Sequence, residues 1–280
     1  MGSSLVRRMR RAPVLDRLLD LPTTRHVASA LQLGRLVHET PAFVANELRG
    51  ASGLRAYTLR RGGHTVLLRH GTVDLWTLNE LFVLKLYGPP APIRETLGRA
   101  SRPVILDLGA NIGMFGLDAI ERYPGARITA YEPDPLSARI HRELIGRNAG
   151  SSAAWRLIEA CAGPRAGTVT FLAGQETDSR IVEPGTAGAV TLSMEDVLPA
   201  FAGADLVKLD IEGGEWALLA DERFSAARVV VMEYHPTGCP QADTHSAAHR
   251  LLGQHGYTVV PLFETPGGVG MVWAYRASCI

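Results

Sequence analysis

Val104-Ile-Leu-Asp-Leu-Gly109-Ala-Asn-Ile-Gly113-Met-Phe-Gly116 decides how this chain folds. An apolar run from Val104 to Leu108 carries one interruption, Asp107. A glycine-containing turn follows, then a helix-compatible pattern. Strand, tight loop and helix start, in that order, is the layout by which nucleotide-cofactor folds bring backbone N–H groups against a ligand. Glycine suits such a loop because it tolerates positive φ and has no Cβ to obstruct close approach.

The chemistry of the loop narrows the ligand. A dinucleotide loop reads Gly-x-Gly-x-x-Gly. Here the middle position is Asn111, giving Gly109-Ala110-Asn111-Ile112-Gly113 with Gly116 one turn on. Asp107 stands at the strand end, where a carboxylate repels a pyrophosphate and favours an ammonium. S-adenosylmethionine carries an ammonium and a sulfonium and no phosphate. A second acid follows on schedule. Ile128-Thr-Ala-Tyr-Glu132-Pro133-Asp134 is another apolar run ending in an acid. A carboxylate at the end of a second strand can accept both ribose hydroxyls.

Three further pieces stand in order downstream and upstream: Leu206-Val-Lys-Leu-Asp-Ile-Glu-Gly213, Val231-Met-Glu-Tyr-His235, and Gly71-Thr-Val-Asp74 with Asn79-Glu-Leu-Phe82 through Tyr87. Together with the loop and Tyr131-Glu-Pro-Asp134, they make the chain resemble class I S-adenosylmethionine-dependent methyltransferases of the FkbM type over roughly residues 55 to 275. The resemblance implies an α/β, Rossmann-like fold whose mostly parallel seven-stranded sheet ends in an antiparallel C-terminal strand. It implies S-adenosylmethionine as cofactor, held by Asp107, Gly109, Ala110, Asn111, Gly113, Glu132 and Pro133. It also implies a small-molecule acceptor hydroxyl on a polyketide, sugar or other secondary metabolite.

Outward from the loop, strands and helices alternate, which predicts a mainly parallel sheet covered on both faces. Helices are expected over Met114–Tyr123, Pro135–Arg147, Met194–Phe201, Trp216–Leu219 and His245–His255. Strands are expected over Ile128–Tyr131, Trp155–Ala160, Thr168–Leu172, Asp205–Leu209 and Val229–Glu233, with Tyr257–Leu262 and Val269–Tyr275 as a closing antiparallel pair. A polar, glycine-rich connection runs from Gly174 to Gly188. Upstream, residues 5–20 and 27–48 read as helices punctuated by Pro13, Pro22 and Pro41, and residues 57–69 as a hairpin around Gly62-Gly63. Asp74 to Leu86 reads as a helix capped by Asp74, with Leu75, Leu78, Phe82, Leu86 and the Lys85 stem on one face. Pro89, Pro90 and Pro92 end it and mark a boundary. The expected division is therefore 1–100, a helical and hairpin extension acting as a lid with the Gly174–Gly188 loop, and 101–280, the cofactor-binding core.

Composition sets limits. With 280 residues, 46% hydrophobic and 20% charged, the chain is long enough and apolar enough for one large folded unit. Cys161, Cys239 and Cys279 show no metal or disulfide spacing, which suits a reducing compartment. No apolar run approaches the ~20 residues of a membrane span, and the N-terminus lacks the features of a signal peptide, so a cytoplasmic location is expected. Net charge is +1, but residues 1–100 carry 15 Lys and Arg against 7 acids and residues 101–280 carry 14 against 21. The basic residues are scattered, apart from Arg7, Arg8, Arg10 and Arg11, and lack interleaved aromatics, so no nucleic-acid partner is expected. A homodimer is compatible with all of this. Only Lys85 and Lys208 are lysines among 29 basic residues, so a lysine inside the Leu206–Gly213 motif is singled out, since the two cations are not interchangeable.

Ligands of such sheets lie beyond the carboxyl ends of the strands, and every expected strand end there carries polar groups. Asp107 is either a ligand of the cofactor or a structural acid bonded to the loop. Glu132 is a ribose ligand or a helix cap. Beyond the third strand, Glu159-Ala-Cys161-Ala offers adenine no evident acid or amide. Asp210 and Glu212 straddle Ile211, so in an extended segment both point one way. They form a polar pocket floor, or one of them caps the helix at Gly213-Gly-Glu-Trp216. Lys208 pairs with these acids or orients the acceptor oxygen. His235 is the general-base candidate, oriented by Glu233, against the plainer reading of a histidine bonded in its loop. The catalytic set is thus His235, Glu233, Asp210, Lys208 and Glu212. Asp210, Glu233 and His235 could instead hold Mg²⁺ and lower the acceptor's pKa, the less favoured alternative. The rivals from other classes are an NAD(P)-dependent oxidoreductase and a non-catalytic binding module of the same fold.

Overall fold

The computed structural model describes residues 22–150, 154–174 and 179–276. The helix expected over residues 5–20, its arginines and Cys279 lie outside the described residues. Among the described residues no helix is long and apolar enough to cross a membrane.

The central sheet forms because its strands are apolar on both faces. β3 (Val104–Leu108), β10 (Leu206–Leu209) and β11 (Val229–Tyr234) are almost continuously buried, the mark of strands sandwiched between helices. They join β4 (Arg127–Tyr131), β5 (Ala154–Ile158), β12 (Thr258–Glu264) and β13 (Gly270–Tyr275) in a seven-stranded sheet of order β12-β13-β11-β10-β3-β4-β5. β10, β11, β3, β4 and β5 pair in parallel, while β13 runs antiparallel to both β11 and β12. This is the class I methyltransferase architecture. From β3 the chain winds one way to β4 and β5, and later the other way to β10 and β11. The switch point therefore lies between β3 and β10, where such sheets open a crevice.

Helices α5 (Met114–Arg122), α6 (Pro135–Arg147), α8 (Glu215–Leu219) and α9 (Thr244–Gln254) fall where the periodicity put them. Asp134 caps α6 by accepting from the N–H groups of Leu136 and Ser137. The expected helix over Met194–Phe201 is split: Met194–Asp196 end the strand β9 (Val190–Asp196), and only Leu198–Phe201 is helical, as α7. Val190, Leu192 and Met194 alternate with polar residues, and that two-residue period wins. β9 joins β6 (Cys161–Gly163), β7 (Gly167–Leu172) and β8 (Arg180–Ile181) in a four-stranded sheet of order β6-β9-β7-β8, where one extra strand and a loop were expected.

The upstream segment differs more. The expected single helix over 27–48 is two, α1 (Pro22–Gly34) and α2 (Thr40–Leu48), because the chain extends at Val37 to bridge Leu59. β1 (Leu54–Thr58) and β2 (Thr65–Arg69) form the hairpin. α3 covers only Asp74–Leu78 and continues as a π-helix, Asn79–Leu84, closed by Lys85 at φ 55. Asp74 does not cap α3. It is buried and its carboxylate takes the backbone N–H and guanidinium of Arg69. The widened turn also changes the apolar face: Leu75, Leu78 and Leu81 are buried, whereas Lys85 is exposed. Pro92 opens a helix rather than a boundary, α4 (Ala91–Arg99), where proline is tolerated in the first turn. One cluster of buried side chains runs from Phe43, Tyr57 and Leu68 of the extension to Leu117, Ile128 and Trp273 of the sheet and its helices.

Candidate active site

A cleft of about 350 Å³ opens at the switch point, within the size range of small-molecule sites. One end is the loop after β3. Gly109 turns at φ 77, and a Cβ there would stand 1.7 Å from the Asp210 carbonyl oxygen, so the turn after β3 can lie against the end of β10 only with a glycine there. Gly113, at φ 92, precedes the first turn of α5. Gly109 and Ala110 donate to the Tyr131 carbonyl, and Asn111 N–H donates to Glu132 Oε2 at 2.7 Å. The other Glu132 oxygen accepts from Asp134 N–H at 2.8 Å. Burial pushes the Glu132 carboxyl up to about 7 against the pull of these two N–H groups. Each oxygen keeps a second lone pair for a donor in the cleft. Pro133, Tyr131, Cys161, Ala162 and Phe171 continue the wall.

The expectations for Asp107 need correction. It is fully buried, lines no part of the cleft, and accepts no hydrogen bond from the loop. Its register partner on β10 is Lys208, whose ammonium lies 3.4 Å from Asp107 and 3.5 Å from Asp210 and donates to the Gly109 carbonyl. Burial raises the Asp107 carboxyl despite Lys208. Burial works against the charge on Lys208 too, but Asp210 and Asp107 more than offset it and raise its pKa. One lysine thus ties the strand, the loop and the rim acid together.

The other end holds Asp210, Glu212, Glu233 and His235. Asp210 and Glu212 do share a side of the cleft, but not through an extended backbone: Glu212 sits at φ 54, a left-handed conformation that costs about 1 kcal/mol outside glycine. Neither acid caps α8, which has no side-chain cap. Glu233 does not orient His235. Glu215 does, with Oε1 accepting from His235 N–H at 2.9 Å and from the ring Nδ1 at 2.7 Å, and Oε2 accepting from Gly213 N–H at 2.7 Å. That leaves Nε2 directed to Glu212, 3.4 Å away. Burial would lower the His235 pKa, yet Glu215, Asp210 and Glu212 push it up to about 9. Burial, then Asp210, pushes Glu233 up to about 8.

The metal alternative is rearranged as well. Among the described residues, the ligand atoms of Asp210, Glu212 and His235 lie within 4.8 Å of one another, and Glu233 is not in that group. The two carboxylates and the neutral imidazole nitrogen suit a divalent cation only after His235 loses its proton.

Sequence reasoning missed Glu215, Trp76, Glu80 and Tyr87. Glu215 carries no local signal, since its partner lies 20 residues on. The other three belong to the segment 73–87, which forms the wall facing the loop.

A model of the methyltransferase FkbM domain matches residues 107–259. The methyltransferase sdnD of Sordaria araneosa is 28% identical over 201 residues, covering 57% of this chain and 75% of that protein. The 31-O-demethyl-FK506 methyltransferase FkbM of Streptomyces tacrolimicus is 27% identical over 201 residues, covering 57% of this chain and 76% of that protein. The AMB antimetabolite synthetase AmbE of Pseudomonas aeruginosa is 26% identical over 244 residues, which cover 70% of this chain but only 11% of the synthetase. With the family's domain spanning more than half of its length and the strand order in agreement, this chain belongs to the FkbM methyltransferase family.

Proposed function

We propose that this protein transfers a methyl group from S-adenosylmethionine to a hydroxyl oxygen of a small molecule, a secondary metabolite such as a polyketide or sugar derivative. The observation that carries the reading is a single cleft with a nucleoside-suited end, Glu132 with the Gly109–Gly113 loop, and a proton-handling end, His235 with Glu215. The family membership supports methyl transfer and removes the ground for a dinucleotide oxidoreductase.

The residues fit the cofactor. Glu132 has acceptor lone pairs left for two ribose hydroxyls, and the buried Asn111 Oδ1 lacks a partner and suits an ammonium or hydroxyl donor. Tyr131, Cys161, Ala162 and Phe171 offer adenine an apolar slot in place of an acid. Asp107 acts at one remove, through Lys208 and the Gly109 carbonyl. When bound, the sulfonium supplies an electrophilic methyl for in-line displacement. The chain's own part is then positioning, which dominates such transfers. His235 Nε2 takes the acceptor's proton, Glu215 fixes the ring and steadies its positive charge, and Glu212 and Asp210 hold the hydroxyl. The segment 73–87 lines one side of the cleft, and Ser179 and Ile181 of the connection between β7 and β9 also line it. Asp134 accepts from Gly174 N–H and Ser179 Oγ.

Calorimetric titration with S-adenosylmethionine and S-adenosylhomocysteine tests the first half, and a screen of hydroxylated metabolites with mass detection of a methyl gain tests the second. No heat with either nucleoside removes the proposal. Binding without turnover, unaffected by substitution of His235, leaves a non-catalytic binding module. A metal-assisted reading has one observation behind it, the convergence of Asp210, Glu212 and His235. Dialysis against EDTA decides it: turnover is expected to persist, and loss restored by Mg²⁺ would establish the metal.

A further inference from the structure

The wall of the cleft facing the loop is built by residues 73–87, upstream of the span that the family model matches. Helix α3 passes into the π-helix Asn79–Leu84, a turn type that concentrates at functional sites. Within it Glu80 lines the cleft. Four residues earlier Trp76 lines the same cleft and is 63% exposed, the most exposed large hydrophobic side chain among the described residues. The Trp76 side chain stands close enough to pull the Glu80 carboxyl down against the burial that pushes it up to about 6. An indole face left to solvent beside a carboxylate is an apolar and anionic platform in search of a ligand.

The charges of the cleft do not balance. Two cations line it, Lys208 and His235. Lys208 is held by Asp107 and Asp210, and His235 by Glu215 and Glu212. Among the described residues no cation lies within ion-pair distance of Glu80. An acceptor bearing a carboxylate or phosphate would meet only repulsion at this wall.

Resting on the methyl-transfer reading, we propose that Trp76 and Glu80 form an acceptor subsite for a protonated amine carried on a ring, so that the natural acceptor is a cationic amino alcohol. The indole face takes the ring and attracts the ammonium through its quadrupole. Glu80 accepts a charge-assisted hydrogen bond from the ammonium. The hydroxyl of the same molecule is then turned to Asp210 and His235. Both residues are specificity determinants and take no proton in the transfer.

The test uses the full chain loaded with S-adenosylhomocysteine and three probes: trans-2-aminocyclohexanol, its N-acetyl derivative and trans-2-hydroxycyclohexanecarboxylate. Calorimetry is expected to show the amine binding about tenfold or more tighter than the N-acetyl compound, and the carboxylate weakest. Glu80→Gln is expected to erase most of the amine preference while leaving S-adenosylhomocysteine affinity unchanged. Trp76→Ala, at an exposed position that folding does not need, is expected to weaken both the amine and its acetylated form. Equal binding of amine and amide, no binding by any probe, or a preference that survives Glu80→Gln overturns the proposal. So does tight Mg²⁺ binding that abolishes the preference, because the surplus charge then belongs to a metal. Failure of the methyl-transfer reading shows separately, as no S-adenosylhomocysteine binding before any probe is added; the probes are then titrated into the free chain and judged by the same criteria.

Discussion

Glu132 shows how a backbone network sets a side chain's duty. Two N–H groups hold its carboxylate while burial raises its pKa to about 7. The charged form accepts ribose hydroxyls best, so affinity for S-adenosylhomocysteine is expected to rise with pH through about 7 and level off above it. Glu132→Ala removes two charge-assisted hydrogen bonds and is expected to weaken binding by about 2–4 kcal/mol. Titration calorimetry between pH 5.5 and 8.5 reads both, and a flat profile would contradict the assignment. His235 carries a second pH dependence. Its folded pKa of about 9 lies above the ordinary 6.5. The stability it contributes is therefore fully present below about pH 6.5 and lost as pH rises through about 9. A base must be neutral, so activity is expected to climb over the same interval. Glu215→Gln removes the charge that holds the proton, so the activity limb shifts to lower pH. It also turns an amide N–H₂ toward either Gly213 N–H or the His235 N–H groups, and the melting temperature drops. The pH–rate profile and the melt together separate an orienting role from a merely structural one.

At the scale of elements, helix α5 and strand β5 meet at Gly116. A Cβ there would stand 2.1 Å from the Trp155 ring, which also packs edge-on to His141. Gly116→Ala forces the indole aside, and an overpacked core of this kind is expected to lose about 1–3 kcal/mol in a denaturant titration. A change within 0.5 kcal/mol would mean that α5 slides freely on the sheet. The elements themselves were unevenly legible. Pro135–Arg147 was readable to the residue because proline, cap and period all agree there. Residues 190–201 misled because Met194 to Phe201 has enough apolar residues for a helix, while the pairing partners that make β9 a strand, Cys161 and Gly167, lie 33 and 27 residues away. The π-helix at 79–84 has no composition of its own; it brings both Glu80 and the buried Leu81 to the cleft.

At the scale of the molecule, the extension and the sheet share one buried cluster, with Phe43, Tyr57, Val66 and Leu68 packed into the same body as Ile105, Leu117 and Trp273. Unfolding is expected to be a single cooperative transition seen alike by far-ultraviolet circular dichroism and tryptophan fluorescence. Removing residues 22–100 is expected to leave an aggregating core, since it uncovers this cluster. A truncated chain that melts cooperatively near the full-length temperature would show the extension to be an independent lid.

The sequence alone determined the order of the strands and helices of the central sheet, the Gly109–Gly113 bend, Glu132 at the next strand end and the acids of the rim, because each of these is written in local period and punctuation. The pairing of Asp107 with Lys208, the clasp of Glu215 on His235 and the wall carrying Trp76 and Glu80 were decided by tertiary structure alone. Each joins groups that strand register or burial brings together across up to 101 residues of chain, a distance over which no sequence period reports.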